Sequence, residues 1–139
     1  MRIYLYYIGK ARDAATNSMA EEFIKRTTRY AMCEMREIRP ARMDLWQKHP
    51  TAMKVLLEVT GRQMDSRQFT DFVARAEREA REIVFLIGGA DGLPEGWASR
   101  ADLLLSLSGM TWPHELARVM LAEQIYRAFT TLRGHPYPR

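Results

Sequence analysis

The sequence predicts an α/β fold, with a mostly parallel sheet that carries helices on both faces. Apolar runs of strand length alternate along the chain with longer segments whose apolar residues recur at helical spacing. The second observation is size, because 139 residues are enough to bury one core but too few for separate cofactor and substrate domains. The third is a composition of 47% hydrophobic and 27% charged residues, which is typical of a globular protein. We therefore expect one domain, spanning 1–139.

The first strand and the first helix follow from the start of the chain. Met1 to Ile8 is rich in Ile, Tyr and Leu and short enough for a buried strand. Helical spacing of apolar residues then continues to about Ala31. Asn17 or Ser18 is the expected N-cap of this helix, since their side chains accept hydrogen bonds from free backbone N–H groups.

Two further strands are predicted before the middle of the chain. Cys33 to Ile38 is an apolar-polar alternation stopped by Pro40, which favours a position near the sheet edge. Residues 41–50 are polar and basic and receive no assignment. Val55 to Val59 is the third strand, and Gly61 is expected to end it.

The clearest amphipathic helix comes next and leads into a fourth strand. Asp65 and Gln68 have the spacing of a capping box, and an apolar stripe of period near 3.6 follows them. Its polar side is interpreted as a solvated face. The run Ile83 to Ile87 is the fourth strand and ends directly in Gly88 and Gly89.

The fifth strand, Leu103 to Leu107, precedes a final helix that begins near Pro113 and reaches about Leu132. Apolar residues cover almost the whole circumference of this helix, and one sheet face cannot bury all of them. A second copy of the chain is the simplest cover, which predicts a homodimer. The alternative is a central helix within a monomer.

Composition narrows the function classes. The single cysteine, Cys33, excludes an intramolecular disulfide, and its apolar neighbours favour a packing role. With no visible signal peptide and no apolar run of membrane-spanning length, we expect a cytoplasmic protein without a membrane partner. His49, His114 and His135 are too far apart for metal-ligand spacing, so no metal is expected. A net charge of +4, dominated by arginine, is compatible with a polyanionic partner.

Ligands of parallel α/β proteins collect beyond the carboxyl ends of strands, and two such loops stand out here. The first loop, which begins with Gly88 and Gly89 after the fourth strand, lacks a complete dinucleotide fingerprint. A plain tight turn is therefore an alternative interpretation of these glycines. The two loops and the final helix contain these residues in order: Ile87-Gly88-Gly89, Asp91-Gly92-Leu93, Leu105-Ser106-Leu107-Ser108, Met110-Thr111, Pro113-His114, Arg118, Glu123-Gln124, Tyr126-Arg127-Ala128 and His135-Pro136-Tyr137. Taken together they closely resemble the ribosomal RNA large subunit methyltransferase H family, of the SPOUT class.

The resemblance implies a fold and an activity. It implies a C-terminal trefoil knot, a homodimer, and transfer of a methyl group from S-adenosylmethionine to N3 of a pseudouridine in 23S rRNA on the assembled ribosome. A non-catalytic basic dimeric RNA-binding module of the same fold, and a SPOUT methyltransferase with another RNA substrate, remain alternatives. The positions that match the family's cofactor-binding residues are Leu57, Gly89, Ser108, Gly109, Met110, Thr111, Trp112 and Pro113.

The residues that would act on the RNA lie near the end of the chain. His135 and Tyr137 are candidates for a base or a hydrogen-bond relay at the N3 proton, and Arg127 and Arg133 are candidates for positioning phosphate. The identity of the base stays open.

The chain departs from the family at three places. Pro40 to Ala52 is shorter than the family's charged helical segment, the tail lacks a His after Tyr137, and Trp112 replaces a smaller apolar residue, which is expected to narrow the adenine pocket.

Overall fold

The computed structural model describes residues 1–137 and confirms the α/β class. Its elements are β1 (Arg2–Ile8), α1 (Ala14–Thr27), β2 (Met32–Ile38), α2 (Leu45–Lys48), β3 (Met53–Gln63), α3 (Ser66–Arg78), β4 (Ile83–Ile87), a 3-10 turn (Ala98–Arg100), β5 (Leu103–Ser106) and α4 (His114–Leu132). The strands form one sheet in the order β2-β1-β4-β3-β5, and every pair in it is parallel. The predicted position of β2 at the sheet edge is confirmed.

Helices cover both faces of the sheet, but unequally. The three long helices α1, α3 and α4 share one core with the inward side chains of the strands, including Leu5, Val55 and Phe85. The opposite face is covered by the short α2 and the 3-10 turn, which pack around Leu56 and Leu86. The larger core therefore lies on the α4 side.

The apolar circumference of α4 is largely explained within one chain. This helix contacts α1 on one side and α3 on the other, besides the sheet. Ten of its nineteen residues are buried, among them Leu121, Ile125 and Phe129. The expectation that one sheet face could not bury them is correct, but α1 and α3 supply most of the missing cover. The apolar pattern alone therefore gives no argument for a second copy.

The start and the end of α1 differ from the prediction. Asp13, and neither Asn17 nor Ser18, is the N-cap, and its carboxylate accepts the backbone N–H of Ala15 at 3.1 Å. The side chain of Asn17 is bonded to other side chains instead. The helix ends at Thr27 rather than near Ala31.

Strand β3 is longer than predicted and passes through Gly61 instead of ending there. Leu57 pairs with Leu105 of β5, and after an irregular excursion Arg62 pairs with the same residue. A Cβ on Gly61 would lie 2.5 Å from the carbonyl oxygen of Leu104, so the two backbones approach too closely for any side chain. The glycine marks a close approach between strands and not a strand end.

Other boundaries agree with the sequence. The capping box of Asp65 and Gln68 is present at the start of α3, and β4 has the predicted bounds. The helix ends at Arg78, before the stripe does, and Ala80 adopts a left-handed conformation with φ of 54°. The unassigned residues 41–50 contain α2, whose N-cap is Asp44.

Cys33 has the packing role expected from its neighbours. It lies against the main core, and burial raises the pKa of its thiol to about 12. The thiol is therefore protonated at neutral pH and is a poor nucleophile.

No helix within residues 1–137 combines the length and the apolar character needed to cross a bilayer.

Candidate functional site

The loop that follows β4 is tightly closed. The N–H of Gly92 donates to the carbonyl oxygen of Gly89 at 3.0 Å, and Gly92 has a positive φ of 76°. A Cβ on Gly88 would lie 2.6 Å from the carbonyl oxygen of Gly92. A Cβ on Gly89 would lie 3.0 Å from the carbonyl oxygen of Ile8, at the end of β1. The glycines thus let the loop turn back on itself against the neighbouring strand.

The loop that follows β5 is held by its own serines. The hydroxyl of Ser106 donates to the carbonyl oxygen of Ser108 at 2.8 Å. The hydroxyl of Ser108 accepts the N–H of Met110 at 3.1 Å. Pro113 is the N-cap of α4 and has no capping side chain, so the last residues before the helix depend on backbone bonds. Both hydroxyls have structural partners, which fits the absence of a nucleophile motif.

Between these loops lies a cavity of about 210 Å³, which we call the strand-end cavity. It is formed where three neighbouring strands, β4, β3 and β5, reach their carboxyl ends. Six of the eight predicted cofactor residues line it: Leu57, Gly89, Ser108, Met110, Thr111 and Trp112. Gly109 and Pro113 belong to the same loop but do not line the cavity.

Several lining residues were missed from the sequence. Glu58 and Val59 lie at the carboxyl end of the predicted third strand, but the family resemblance marks only Leu57 there; in the structure they belong to the part of β3 that departs from β5. His114 and Ala117, on the first turn of α4, also line the cavity. The sequence did place His114 at a helix start beyond a strand, and that position was the available signal.

Trp112 contributes the most distinctive group in the strand-end cavity. Its indole Nε1 is the one buried side-chain nitrogen or oxygen without a hydrogen-bond partner in the described part of the chain. Such an unpaired donor costs free energy unless something else accepts its hydrogen bond. Trp112 is also the residue that stands where the resembled family has a smaller apolar side chain.

The predicted RNA-facing residues form a second group, which we call the tail cluster: Glu123, Arg127, His135 and Tyr137. Arg127 makes an ion pair with the Oε2 of Glu123 at 2.7 Å, and the hydroxyl of Tyr137 donates to the same oxygen at 2.7 Å. The ring Nδ1 of His135 accepts the backbone N–H of Tyr137 at 3.1 Å. The structure thus brings the three predicted catalytic residues together around a glutamate that was not predicted.

The electrostatics of the tail cluster favour a donor role for Tyr137. Burial, and next the hydrogen bond to Glu123, raise the pKa of Tyr137 to about 12. The same carboxylate raises the pKa of Arg127 above its ordinary value. Because the Nδ1 of His135 accepts a hydrogen bond, its Nε2 carries the proton in the neutral ring. Tyr137 therefore suits a relay toward Glu123 better than a free base.

Arg133, the other phosphate candidate, is engaged elsewhere. Its guanidinium bonds both carboxylate oxygens of Glu77 on α3, at 3.1 and 2.6 Å. This bidentate pair ties the end of α4 to α3 and competes with any phosphate contact. The tail residues Pro138 and Arg139 lie outside the described residues.

The tail cluster lies beyond the strand-end cavity along α4. Ala117 lines the cavity, whereas Glu123 and Arg127 stand six and ten residues further along the helix, which corresponds to about 9 and 15 Å. None of the four tail-cluster residues lines the cavity. The tail cluster therefore forms no part of the cavity of its own chain in this arrangement.

A larger cavity of about 600 Å³, the helix cavity, lies between α1, α3 and α4. Apolar side chains such as Met19, Phe23, Phe69 and Met120 form most of its lining, and Glu123 of the tail cluster reaches its rim. It has the volume of a ligand site, and it shares Leu105 and Leu107 at the end of β5 with the strand-end cavity, but no glycine lines it and the predicted cofactor residues lie outside it. We regard the smaller strand-end cavity as the chemical site and the larger one as a packing surface.

No group of three or more His, Cys, Asp or Glu side chains within residues 1–137 could hold a metal ion. His49, for example, is buried and bonded to the hydroxyl of Tyr6 at 2.8 Å.

Comparison with known proteins gives consistent results. A family described as "Predicted SPOUT methyltransferase" matches residues 1–138. A protein of Solibacter usitatus named ribosomal RNA large subunit methyltransferase H is 62% identical over 139 residues, with 100% of both chains covered. A protein of Sorangium cellulosum with the same name is 39% identical, with 99% of both chains covered.

One solved structure extends the comparison to the fold. A probable methylase family protein from Haemophilus influenzae superimposes with a TM-score of 0.63 at 9% identity, covering 99% of this chain and 70% of the other. At that identity the similarity concerns the fold alone.

Proposed function

Because the chain belongs to the SPOUT methyltransferase family, we propose that it transfers a methyl group from S-adenosylmethionine to N3 of a pseudouridine in 23S rRNA on the assembled ribosome. The observation that carries the proposal is the strand-end cavity, which is lined by six residues at the family's cofactor-binding positions. Relatives that match from end to end are named as methyltransferases of large-subunit rRNA, and this supports the same class of substrate.

The residues of the strand-end cavity fit part of a nucleotide cofactor. Its volume of about 210 Å³ is below the roughly 300–1,000 Å³ of most small-molecule pockets, so it suits the adenosine portion and leaves the rest of the cofactor outside. Leu57 and the indole ring of Trp112 offer apolar contact to an adenine ring. Gly89 keeps its side of the cavity free of a side chain.

When bound, S-adenosylmethionine supplies a methyl carbon activated by the adjacent sulfonium. The protein then has to align that carbon with the target nitrogen and help the N3 proton to leave. We assign the relay to the tail cluster, in which Tyr137 donates to Glu123. The guanidinium of Arg127 is bonded to Glu123 as that of Arg133 is to Glu77, so a phosphate contact of either arginine requires its ion pair to open. Glu123 is thus added to the residues expected from the sequence.

The absence of the tail cluster from the cavity of its own chain supports a homodimer as part of the proposal. A second chain could bring its tail cluster to the strand-end cavity of the first. The helix cavity and the exposed Met19 beside it provide an apolar surface for such an assembly. The C-terminal trefoil knot implied by the family resemblance belongs to the same proposal, and tracing the chain in a crystal structure tests it.

Sedimentation of two methionine variants tests the dimer. Met19→Glu places a charge on the proposed surface and is expected to give monomers that still fold. Met32→Glu is the matched control, because Met32 is similarly exposed, at 62% against 55%, but lies on the edge strand β2. A wild-type monomer at micromolar concentration, or equal sedimentation of both variants and the wild type, would contradict the proposed surface.

Calorimetry and methyl transfer test the function itself. We expect wild-type protein to bind S-adenosylmethionine and to transfer radiolabelled methyl groups to ribosomes from a strain that lacks the modification. Gly89→Arg should abolish binding by filling the cavity, with thermal unfolding as the control for folding.

Three other outcomes would redirect the assignment. Unchanged affinity in Gly89→Arg would remove the cavity assignment. Transfer to tRNA instead of ribosomes would indicate another SPOUT substrate. Binding of RNA without binding of the cofactor would support a non-catalytic module.

A further inference from the structure

A buried arginine on α4 organises the loop that leads from β1 to α1. Arg118 is 1% exposed, and its guanidinium lies 3.8 Å from the ring centre of Tyr7 on β1. One of its nitrogens donates to the side-chain oxygen of Asn17 on α1 at 3.0 Å, and another approaches Glu115 at 3.4 Å. A charge this deeply buried needs such partners. Arg118 thus joins β1, α1 and α4.

Glu115 extends this network to the backbone of residues 9–13, which we call the β1–α1 loop. One carboxylate oxygen accepts the N–H groups of both Arg12, at 2.6 Å, and Asp13, at 3.2 Å. These two bonds keep the pKa of Glu115 below its ordinary value, so the carboxylate stays charged at neutral pH. The loop backbone is therefore fixed to the first turn of α4.

This anchoring places the β1–α1 loop at the border of the strand-end cavity. Ile8, just before the loop, touches the position that a Cβ on Gly89 would take. His114 and Ala117, next to the anchoring residues on α4, line the cavity from the other side. The loop thus borders the proposed site of methyl transfer.

Two basic side chains of the anchored loop remain available. Lys10 and Arg12 are exposed, and neither makes an ion pair with any residue in the range 1–137. The nearby carboxylates are engaged, since Asp13 caps α1 and Glu115 binds the loop backbone. Only the backbone of Arg12 is held, which leaves its guanidinium and the ammonium of Lys10 free to reach outward.

We propose that Lys10 and Arg12 bind backbone phosphate of the RNA beside the target nucleotide, and that Glu115 and Arg118 are positioning residues for them. Arginine matches phosphate with a planar fork, and lysine adds a compact charge. A loop anchored to α4 loses less conformational freedom on binding than a free one. This inference rests on the proposed function, because it names the contacts of the RNA substrate at the same site.

The double variant Lys10→Ala/Arg12→Ala tests the phosphate contact. With modification-deficient ribosomes as substrate, we expect KM to rise on the order of tenfold and the salt dependence of log(kcat/KM) to flatten by roughly 1 to 2. The affinity for S-adenosylmethionine should stay within twofold of the wild type. Lys25→Ala/Arg29→Ala is the matched control, since both residues are exposed, make no ion pair among residues 1–137, and lie at the far end of α1. It should behave as the wild type.

The outcomes separate this inference from the proposed function. Equal kinetics of the two double variants would overturn the phosphate contact, and so would a loss of cofactor affinity in Lys10→Ala/Arg12→Ala. A wild-type protein that neither binds the cofactor nor methylates ribosomes would overturn the proposed function, and this inference with it.

A second pair of variants tests positioning. Glu115→Ala should speed tryptic cleavage after Lys10 and Arg12 and raise the KM for ribosomes, with little change in cofactor affinity. Glu115→Gln keeps an oxygen that can accept the loop N–H groups, so it should restore most of the protection and part of the KM. Unchanged cleavage and KM in Glu115→Ala, with a native unfolding transition, would overturn the positioning role.

Discussion

Replacing Trp112 by phenylalanine should separate a ligand contact from a structural one. The indole Nε1 is buried without a partner in the described residues, and an unpaired buried donor costs about 1–3 kcal/mol. Phenylalanine removes this donor and leaves a void of roughly 40 Å³, which costs about 1 kcal/mol if nothing fills it. The two effects oppose each other, so Tm should change by no more than about 6 °C. Affinity for S-adenosylmethionine should instead fall on the order of fivefold, because the smaller ring gives the adenine roughly 40 Å² less apolar contact.

Trp46→Phe is the matched control for this experiment. The Nε1 of Trp46 already donates to the carbonyl oxygen of Arg100 at 3.3 Å, and the guanidinium of Arg100 lies 4.1 Å from its ring centre. That variant should lose stability and keep full cofactor affinity. Calorimetry and thermal unfolding measure both quantities. A large loss of Tm in Trp112→Phe with unchanged affinity would show that the indole packs against the protein and does not contact the cofactor.

Three further predictions concern the frame around the site. Gly61→Ala should cost at least about 2 kcal/mol of unfolding free energy in chemical denaturation, since its Cβ would meet the backbone oxygen of Leu104 at 2.5 Å. The hydrogen bond from the Arg133 guanidinium lowers the pKa of Glu77 below its ordinary value near 4.5. The pair therefore contributes its full stability at pH values above 4.5, and this contribution is lost as the pH falls through the lowered pKa. Glu77→Gln should accordingly cost roughly 0.5 kcal/mol of unfolding free energy at pH 7 and nothing in acid. Tyr137→Phe should reduce kcat for methyl transfer without altering its pH profile near neutrality, because a pKa of about 12 keeps the tyrosine protonated there.

Each of these has a clear contrary result. Gly109→Ala is the control for the first, since a Cβ there would meet only the side-chain nitrogen of Gln63 at 3.4 Å, and equal losses in both variants would contradict the close-approach argument. For Glu77→Gln, a difference that persists in acid would show that the ion pair is not its cause. An inflection near neutral pH that the wild type shows and Tyr137→Phe lacks would return Tyr137 to the role of base.

Local patterns predicted the elements that depend on local interactions. β4 has the predicted bounds because a fully apolar run of five residues between polar and glycine neighbours fits only a buried strand. The capping box at Asp65 likewise needs only residues within one turn. The predicted N-cap of α1 was wrong because Asp13 and Asn17 are equally good capping residues. The side chain of Asn17 is instead bonded to Arg118, a contact distant in sequence that no local pattern shows.

Long-range contacts also explain the gaps in the predicted site. Residues of the β5–α4 loop were found through the family resemblance, and most of them line the strand-end cavity. Glu58 and Val59 were missed although they end the predicted third strand, because nothing local in the sequence shows that β3 departs from β5 after Leu57 and turns these residues toward the cavity. Glu123 could have been found, since it stands four residues before Arg127 on a helix, the spacing of an ion pair.

A crystal structure of the protein with S-adenosylmethionine tests the central claim most directly, because it shows which cavity holds the cofactor. We predict that its adenine lies in the strand-end cavity, against Leu57, Gly89 and the ring of Trp112. Cofactor found instead in the larger helix cavity, beside Phe23 and Met120, would contradict the account.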